Sequence, residues 1–156
     1  MAEFEPLSAK HFRREFDCGN DDLNAYIKHY ARQDQKRGAA QTWILTDPQF
    51  PQRIDVYYTL SAHSIQSIAI RFPYQSIPAL LLGRLAVTRH SQGKGFGRIA
   101  IVDALLRARK IEAEVGIRFL LVLPKNQEVE SFYTKLGFQK LPDSQLWYFD
   151  LTQIKL

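Results

Sequence analysis

The stretch Gln92–Gly97, QGKGFG, sets Gly93, Gly95 and Gly97 among Gln92, Lys94 and Phe96, with Arg98 next, directly before an apolar-periodic segment. Glycine at a helix start costs backbone entropy and packs nothing, so the pattern marks a place where bare backbone is needed. A helix start presents unpaired N–H groups and the positive end of the helix dipole, which together bind anions. Side chains would hold a bulky phosphate away from those amides; glycines admit it. Two familiar phosphate loops do not fit. A nucleotide P-loop needs Ser or Thr after its Gly-Lys, where Gly95 stands, and a dinucleotide fingerprint needs two residues between its second and third glycines, where Phe96 stands alone. A flexible turn without a ligand is the alternative to a phosphate cradle.

Other residues bear on the chemistry. His11, His29, His63 and His90 are scattered without metal-ligand spacing, and Cys18 is the only cysteine, so no metal site is expected. No carboxylate or histidine stands out as a dedicated base: Asp55, Glu128, Glu130 and His63 are candidates, but each is more often a solvated or packed residue. Arg84 interrupts an apolar run, and arginine is rarely buried without a partner, so it either pairs with a core carboxylate or faces a ligand. Lys28, Arg32 and Lys36 recur every four residues and so share a helical face, and Arg107, Arg109 and Lys110 cluster farther on. With a net charge of +5 and a pI near 9.4, these stripes suit a polyanionic partner or, more plainly, a solvated helix face.

The elements that must position these residues follow from pattern. The 156 residues, 46% hydrophobic and 24% charged, make a chain of single-domain size, and residues 1–156 are read as one domain. No apolar run is long enough to cross a bilayer, the opening MAEFEPLSAKHF lacks the regions of a signal peptide, and one cysteine suits a reducing compartment. A cytoplasmic, non-membrane protein is expected. NDDLNAYIKHYARQDQKRG predicts a helix capped by Asn20 or Asp21 and closed by Gly38, with Leu23, Tyr26, Ile27, Tyr30 and Ala31 as its apolar stripe. AQTWILTD and RIDVYYTLSAHSI read as paired strands separated by PQFPQ, and FPYQSIP as a proline-bounded loop. ALLLGRLAV reads as a strand buried on both faces. The helix after the glycines is expected to pack Ile99, Val102, Leu105 and Leu106 and to end near Gly116. RFLLVLP, NQEVESFYTKLG and LWYFDL complete the order as strand, helix and strand of one α/β domain.

Two segments carry a family resemblance. QGKGFG resembles the Gln/Arg-x-x-Gly-x-Gly/Ala signature of the GNAT N-acetyltransferases, with Gln92, Gly95 and Gly97 at its fixed positions. NQEVESFYTKLGF is similar to that family's last motif, with Asn126, Phe132, Tyr133, Gly137 and Phe138 in place. FDCGNDDLNAYIKHYA, VYYTLSAHSI and IPALLLGRLAV further resemble the toxins of type II toxin–antitoxin modules, which acetylate aminoacyl-tRNA. The resemblance runs from Phe16 to Leu151, with Val56 and Val129 departing from the usual small residues.

The resemblance implies an α/β fold with a central mixed, mostly antiparallel sheet, splayed at the cofactor site and flanked by helices. It implies that Leu85, Ala86 and Val87 bond the pantetheine arm of acetyl-coenzyme A. The amides of Gln92, Gly93, Lys94, Gly95, Phe96, Gly97 and Arg98 would hold its pyrophosphate, and Asn126 would bond the pantetheine region. Tyr133 is implied as the acid that protonates the departing thiolate; on spacing alone it is equally a core aromatic beside Phe132. The missing base suits an α-amine acceptor, since such an amine is partly neutral near pH 8. On this basis Arg84 faces the acceptor, Lys28, Arg32 and Lys36 bind tRNA, and the partners are a ribbon–helix–helix antitoxin and a second copy of the chain in a homodimer. A GNAT enzyme acting on a small amine or a protein N-terminus, and a non-catalytic coenzyme-binding regulator, are the other functions compatible with the chain.

Overall fold

The computed structural model describes residues 3–66 and 71–154. Among them two compact units form: the first holds the residues up to Ser61 together with Gly83–Ala104, and the second holds Ala62–Leu82 and the residues from Leu105 onward.

In the first unit, β1 (Glu5–Pro6) pairs antiparallel with β2 (Gln41–Asp47), and β2 pairs antiparallel with β3 (Phe50–Gln66). The run Ile54–Leu60 of β3 is buried without alternation, as for a strand covered on both faces. Helix α1 (Asp21–Ala25) starts at Asn20, whose side chain accepts from the Leu23 N–H. A π-turn (Tyr26–Tyr30) and α2 (Ala31–Arg37) follow, and Gly38 ends the run at φ 73°. Leu7, Phe16, Tyr26, Ile27, Ile44 and Tyr57 form the core of this unit. The Tyr57 hydroxyl crosses that core to donate to the Leu23 carbonyl at 2.6 Å.

The second unit is built on β5 (Phe119–Val122), which is completely buried. It pairs in parallel with residues Ala79–Leu82 of β4 (Ser76–Val87) and antiparallel with β7 (Trp147–Asp150), which in turn pairs with β6 (Gln139–Lys140). Helix α4 (Gln127–Leu136) is capped by Asn126 and ends at Gly137 with φ 102°. Ile77, Ala79, Phe119, Leu121 and Leu141 form this unit's core, and Arg118 clamps Asp150 through two 2.9 Å hydrogen bonds. Strands β3 and β4 contribute to both units, and the hydrogen-bonded order among the described residues is β1-β2-β3-β4-β5-β7-β6, mixed and mostly antiparallel as expected. No helix among them is long and apolar enough to cross a membrane.

Several expectations change. The strand β3 begins at Phe50, inside the segment expected to separate two strands, because Asp47 Oδ1 accepts from the Gln49 N–H and makes the turn earlier. The strand β4 begins at Ser76, within the expected proline loop, and β1 and β6 are too short to leave a pattern. Helix α3 (Phe96–Glu112) buries Ala100, Ile101, Ala104, Leu105 and Ala108, not Ile99, Val102 and Leu106, which are 38%, 41% and 43% exposed. Small alanines let a helix approach its neighbour closely, and that outweighs the larger apolar stripe. Tyr30 is 56% exposed because the Ala31 N–H bonds to the Tyr26 carbonyl, five residues back. The extra residue in that turn rotates the following positions by about 100° relative to a regular α-helix.

Candidate active site

The glycine loop sits where β4 gives way to α3. A short 3₁₀ turn (Arg89–Ser91) leads into it, and the chain just before α1 holds its base. The Arg89 N–H donates to the Asp17 carbonyl at 2.9 Å, its Nε bonds Asp17 Oδ2 at 2.9 Å, and Gln92 Nε2 donates to the carbonyls of Cys18 at 2.8 Å and Val87 at 2.9 Å. The Gly19 N–H, then Asn24 and Arg89, hold the Asp17 carboxyl below its ordinary range, so the anchor is ionised. The Gln92 side chain thus serves the loop's own backbone.

Gly93 and Gly95 have φ 76° and 85°, conformations that side-chain-bearing residues rarely adopt. Gly97 lies inside the first turn of α3 at an ordinary φ, and a Cβ built on it would meet nothing within 4 Å. Neither strain nor crowding within the chain requires glycine there. The successive amides of Gly93 to Arg98 have no backbone acceptor among the described residues, while the Ile99 N–H closes the first helical bond onto the Gly95 carbonyl at 3.2 Å. A row of free donors at a helix start, faced by open space and flanked by the exposed Lys94 and Arg98, fits a pyrophosphate.

Residues Leu85, Ala86 and Val87 lie at the C-terminal end of β4. The pairing of β4 with β5 ends at Leu82↔Val122, and β4 continues through Gly83–Val87 beyond it. Its backbone there is not engaged in that ladder and can take an added extended segment. Arg84, in this stretch, makes no ion pair among the described residues; its guanidinium lies 3.6 Å above the Tyr26 ring centroid. Burial and a 2.7 Å hydrogen bond to Asp34 push the Tyr26 hydroxyl up to about 12, so the ring stays neutral under the cation.

In the second unit, Tyr133 is 5% exposed and packs edge-on against Phe132 at 5.3 Å and Phe138 at 5.1 Å. Its hydroxyl makes no hydrogen bond among the described residues and is not one of the fully enclosed polar atoms. Burial raises its pKa above the ordinary 10, so it carries its proton throughout the physiological range. Asn126 spends its Oδ1 on the Val129 N–H at 3.0 Å, capping α4, and retains its amide donors. Glu128 and Glu130 sit in the first turn of α4, where the helix dipole favours carboxylates.

The basic residues separate. Lys28 lines a cavity beside the π-turn, Arg32 is half-buried, and Lys36 is exposed. Arg109 is paired with Glu112 and bonds the Ile154 carbonyl, so it belongs to the fold. Tertiary structure also gathers Asp47, Asp55 and His90 with their ligand atoms within 4.8 Å, a set invisible along the chain. Asp55 Oδ1 makes no hydrogen bond among the described residues, with His90 Nε2 3.6 Å away, and desolvation followed by the nearby Asp47 raises its pKa. Arg13 and Arg14 escaped the sequence reading, although FRR at residues 12–14 places an aromatic directly before two cations.

Residues 76–148 match the family model described as FR47-like protein. A "tRNA-acetylating toxin" of Mycobacterium tuberculosis is 26% identical over 137 residues, covering 84% of this chain and 80% of that protein. The structure of AtaT complexed with acetyl-methionyl-tRNAfMet superposes with a TM-score of 0.90 at 26% identity, covering 97% of this chain and 96% of that one. A tyrosine-to-phenylalanine mutant of the AtaT toxin, bound to the C-terminus of the antitoxin AtaR and to acetyl-CoA, superposes with a TM-score of 0.83 at 26% identity over 97% and 94% of the two chains. The glycine loop, the sheet order and the matched segment agree in making the chain similar to FR47-like, GNAT-type proteins, with the family model covering residues 76–148.

Proposed function

We propose that this chain transfers the acetyl group of acetyl-CoA to the α-amine of aminoacyl-tRNA, as the toxin of a type II toxin–antitoxin pair that blocks translation. The observation that carries it is Gly97, a helix-start glycine whose added Cβ would meet nothing within 4 Å, in a row of amides without a backbone acceptor among the described residues. That row would hold the pyrophosphate, the free end of β4 at Leu85–Val87 the pantetheine arm, and Asn126 a polar group along it. Acetyl-CoA supplies an activated acyl group as a thioester. The acceptor nitrogen forms a bond to the acyl carbon, the carbon–sulfur bond breaks, and the departing sulfur takes a proton. Tyr133 suits that last step because its hydroxyl carries a proton to give and makes no hydrogen bond among the described residues. The described residues offer no evident base, since Asp55 is enclosed and Glu128 and Glu130 serve the helix start. An aminoacyl ester amine, already partly neutral near pH 7–8, requires little help.

The chain acts here as one acetyltransferase domain in the cytoplasm. A ribbon–helix–helix antitoxin and a second copy of the chain are the protein partners in this scheme. The exposed Ile99, Val102 and Leu106 on α3 supply apolar surface for such contacts. Purified protein given labelled acetyl-CoA should label charged tRNA and not uncharged tRNA, with the label released by mild alkali. Labelling of small polyamines and never of charged tRNA would replace this function with that of a small-amine acetyltransferase.

A further inference from the structure

A cavity of about 620 Å³ opens in the first unit between the chain before α1 and the π-turn, lined by Phe12, Arg13, Arg14, Glu15, Lys28 and His29. Its volume falls in the range of about 300–1,000 Å³ typical of small-ligand sites. Arg13, Arg14 and Lys28 make no ion pair among the described residues, and Glu15 is the single carboxylate among these lining residues. Phe12 is 50% exposed, yet its backbone is fixed: its N–H donates to the Gln52 carbonyl at 2.7 Å and it bridges to Arg53. Four residues on, Phe16 is buried edge-on against Tyr57. An exposed ring on an anchored backbone, surrounded by unspent cations, is the chemistry of an unstacked base with its flanking phosphates.

The cavity belongs to the same unit as the glycine loop. The chain that lines it at Phe12–Glu15 continues directly into Asp17 and Cys18, whose carbonyls hold Arg89 and Gln92 at the base of the glycine loop. The aminoacyl ester of a charged tRNA sits on an unpaired 3′ end, so the nucleotides next to the reacting amine are the ones free to unstack. We infer that this cavity takes an unpaired nucleotide of the acceptor RNA, its base against Phe12 and its phosphates on Arg13, Arg14 and Lys28. The inference rests on the acetylation of charged tRNA proposed above.

Steady-state acetylation of charged tRNA tests it with Phe12→Ala, Phe12→Trp and the double variant Arg13→Ala/Arg14→Ala. Phe12→Ala should raise KM roughly tenfold or more and leave kcat in place, and Phe12→Trp should restore KM by keeping a stacking face. The double variant should raise KM and flatten its dependence on salt by about one unit of slope for each phosphate that is no longer neutralised. All three side chains reach solvent, and thermal melts of the variants separate binding from unfolding. Failure of the native protein to label charged tRNA defeats the acetylation reading itself. Native labelling with unchanged KM in Phe12→Ala and the double variant overturns the cavity assignment alone. Unchanged KM together with weakened binding of an acidic antitoxin peptide also overturns it, giving the cavity to a protein partner.

Discussion

Replacing Gly97 by alanine separates the fold's needs from the ligand's. Gly97 occupies the second position of α3, its φ is ordinary, and its missing Cβ would touch nothing within 4 Å. Alanine there should therefore stabilise the protein, by up to about 1 kcal/mol on helix propensity. For a chain of this length that is a rise in Tm of roughly 2–4 °C. Binding should move the other way. The new methyl group stands where a phosphate would meet the amides, and loss of one charge-assisted hydrogen bond costs about 1.5–3 kcal/mol. At about 1.4 kcal/mol per factor of ten, acetyl-CoA should bind roughly ten- to a hundredfold more weakly. Calorimetric titration and thermal unfolding of the same sample read both quantities. A variant that melts higher and binds acetyl-CoA within twofold of the native affinity would refute the argument, because the methyl would then lie off the ligand's path. Gly95→Ala is a poorer probe, since its φ of 85° adds backbone strain to any loss of binding.

Tyr133→Phe removes a hydroxyl that makes no hydrogen bond among the described residues, so stability should change by less than about 0.5 kcal/mol while turnover falls roughly a hundredfold or more, as single-turnover kinetics would show. Burial raises the Tyr133 pKa, so the folded state binds that proton more tightly than the unfolded chain. Its contribution to stability is complete below pH ~10 and is lost as pH rises past it, and kcat should climb with acceptor deprotonation near pH 8 without a Tyr133-dependent fall below pH ~10. At the end of α4, Gly137→Ala meets both a φ of 102° and the Phe149 ring 3.1 Å from the new Cβ; urea denaturation should record a loss of at least about 1–2 kcal/mol.

Features set by near neighbours along the chain were legible in the residues themselves. Asn20 and Asn126 begin helices because each side chain accepts from an N–H three residues on, and Gly38 and Gly137 end them because each adopts positive φ. The glycine loop before α3, the buried β5 and the order of the main elements are of the same kind, as is the position of Tyr133 on α4. What decided the rest was the identity of distant partners. The buried face of α3 shifted from Ile99, Val102 and Leu106 to Ala100, Ile101 and Ala104, because burial depends on how closely the opposing surface approaches and not on side-chain size alone. The π-turn turned Tyr30 outward, and Arg84 lies over the face of Tyr26, 58 residues earlier, a contact that no spacing along the chain shows. The cavity at Phe12, Arg13, Arg14 and Lys28 and the cluster of Asp47, Asp55 and His90 arise only when separate segments fold together. Local hydrogen bonds and backbone angles are written in adjacent residues; packing, stacking and clustered charge are settled by long-range contact.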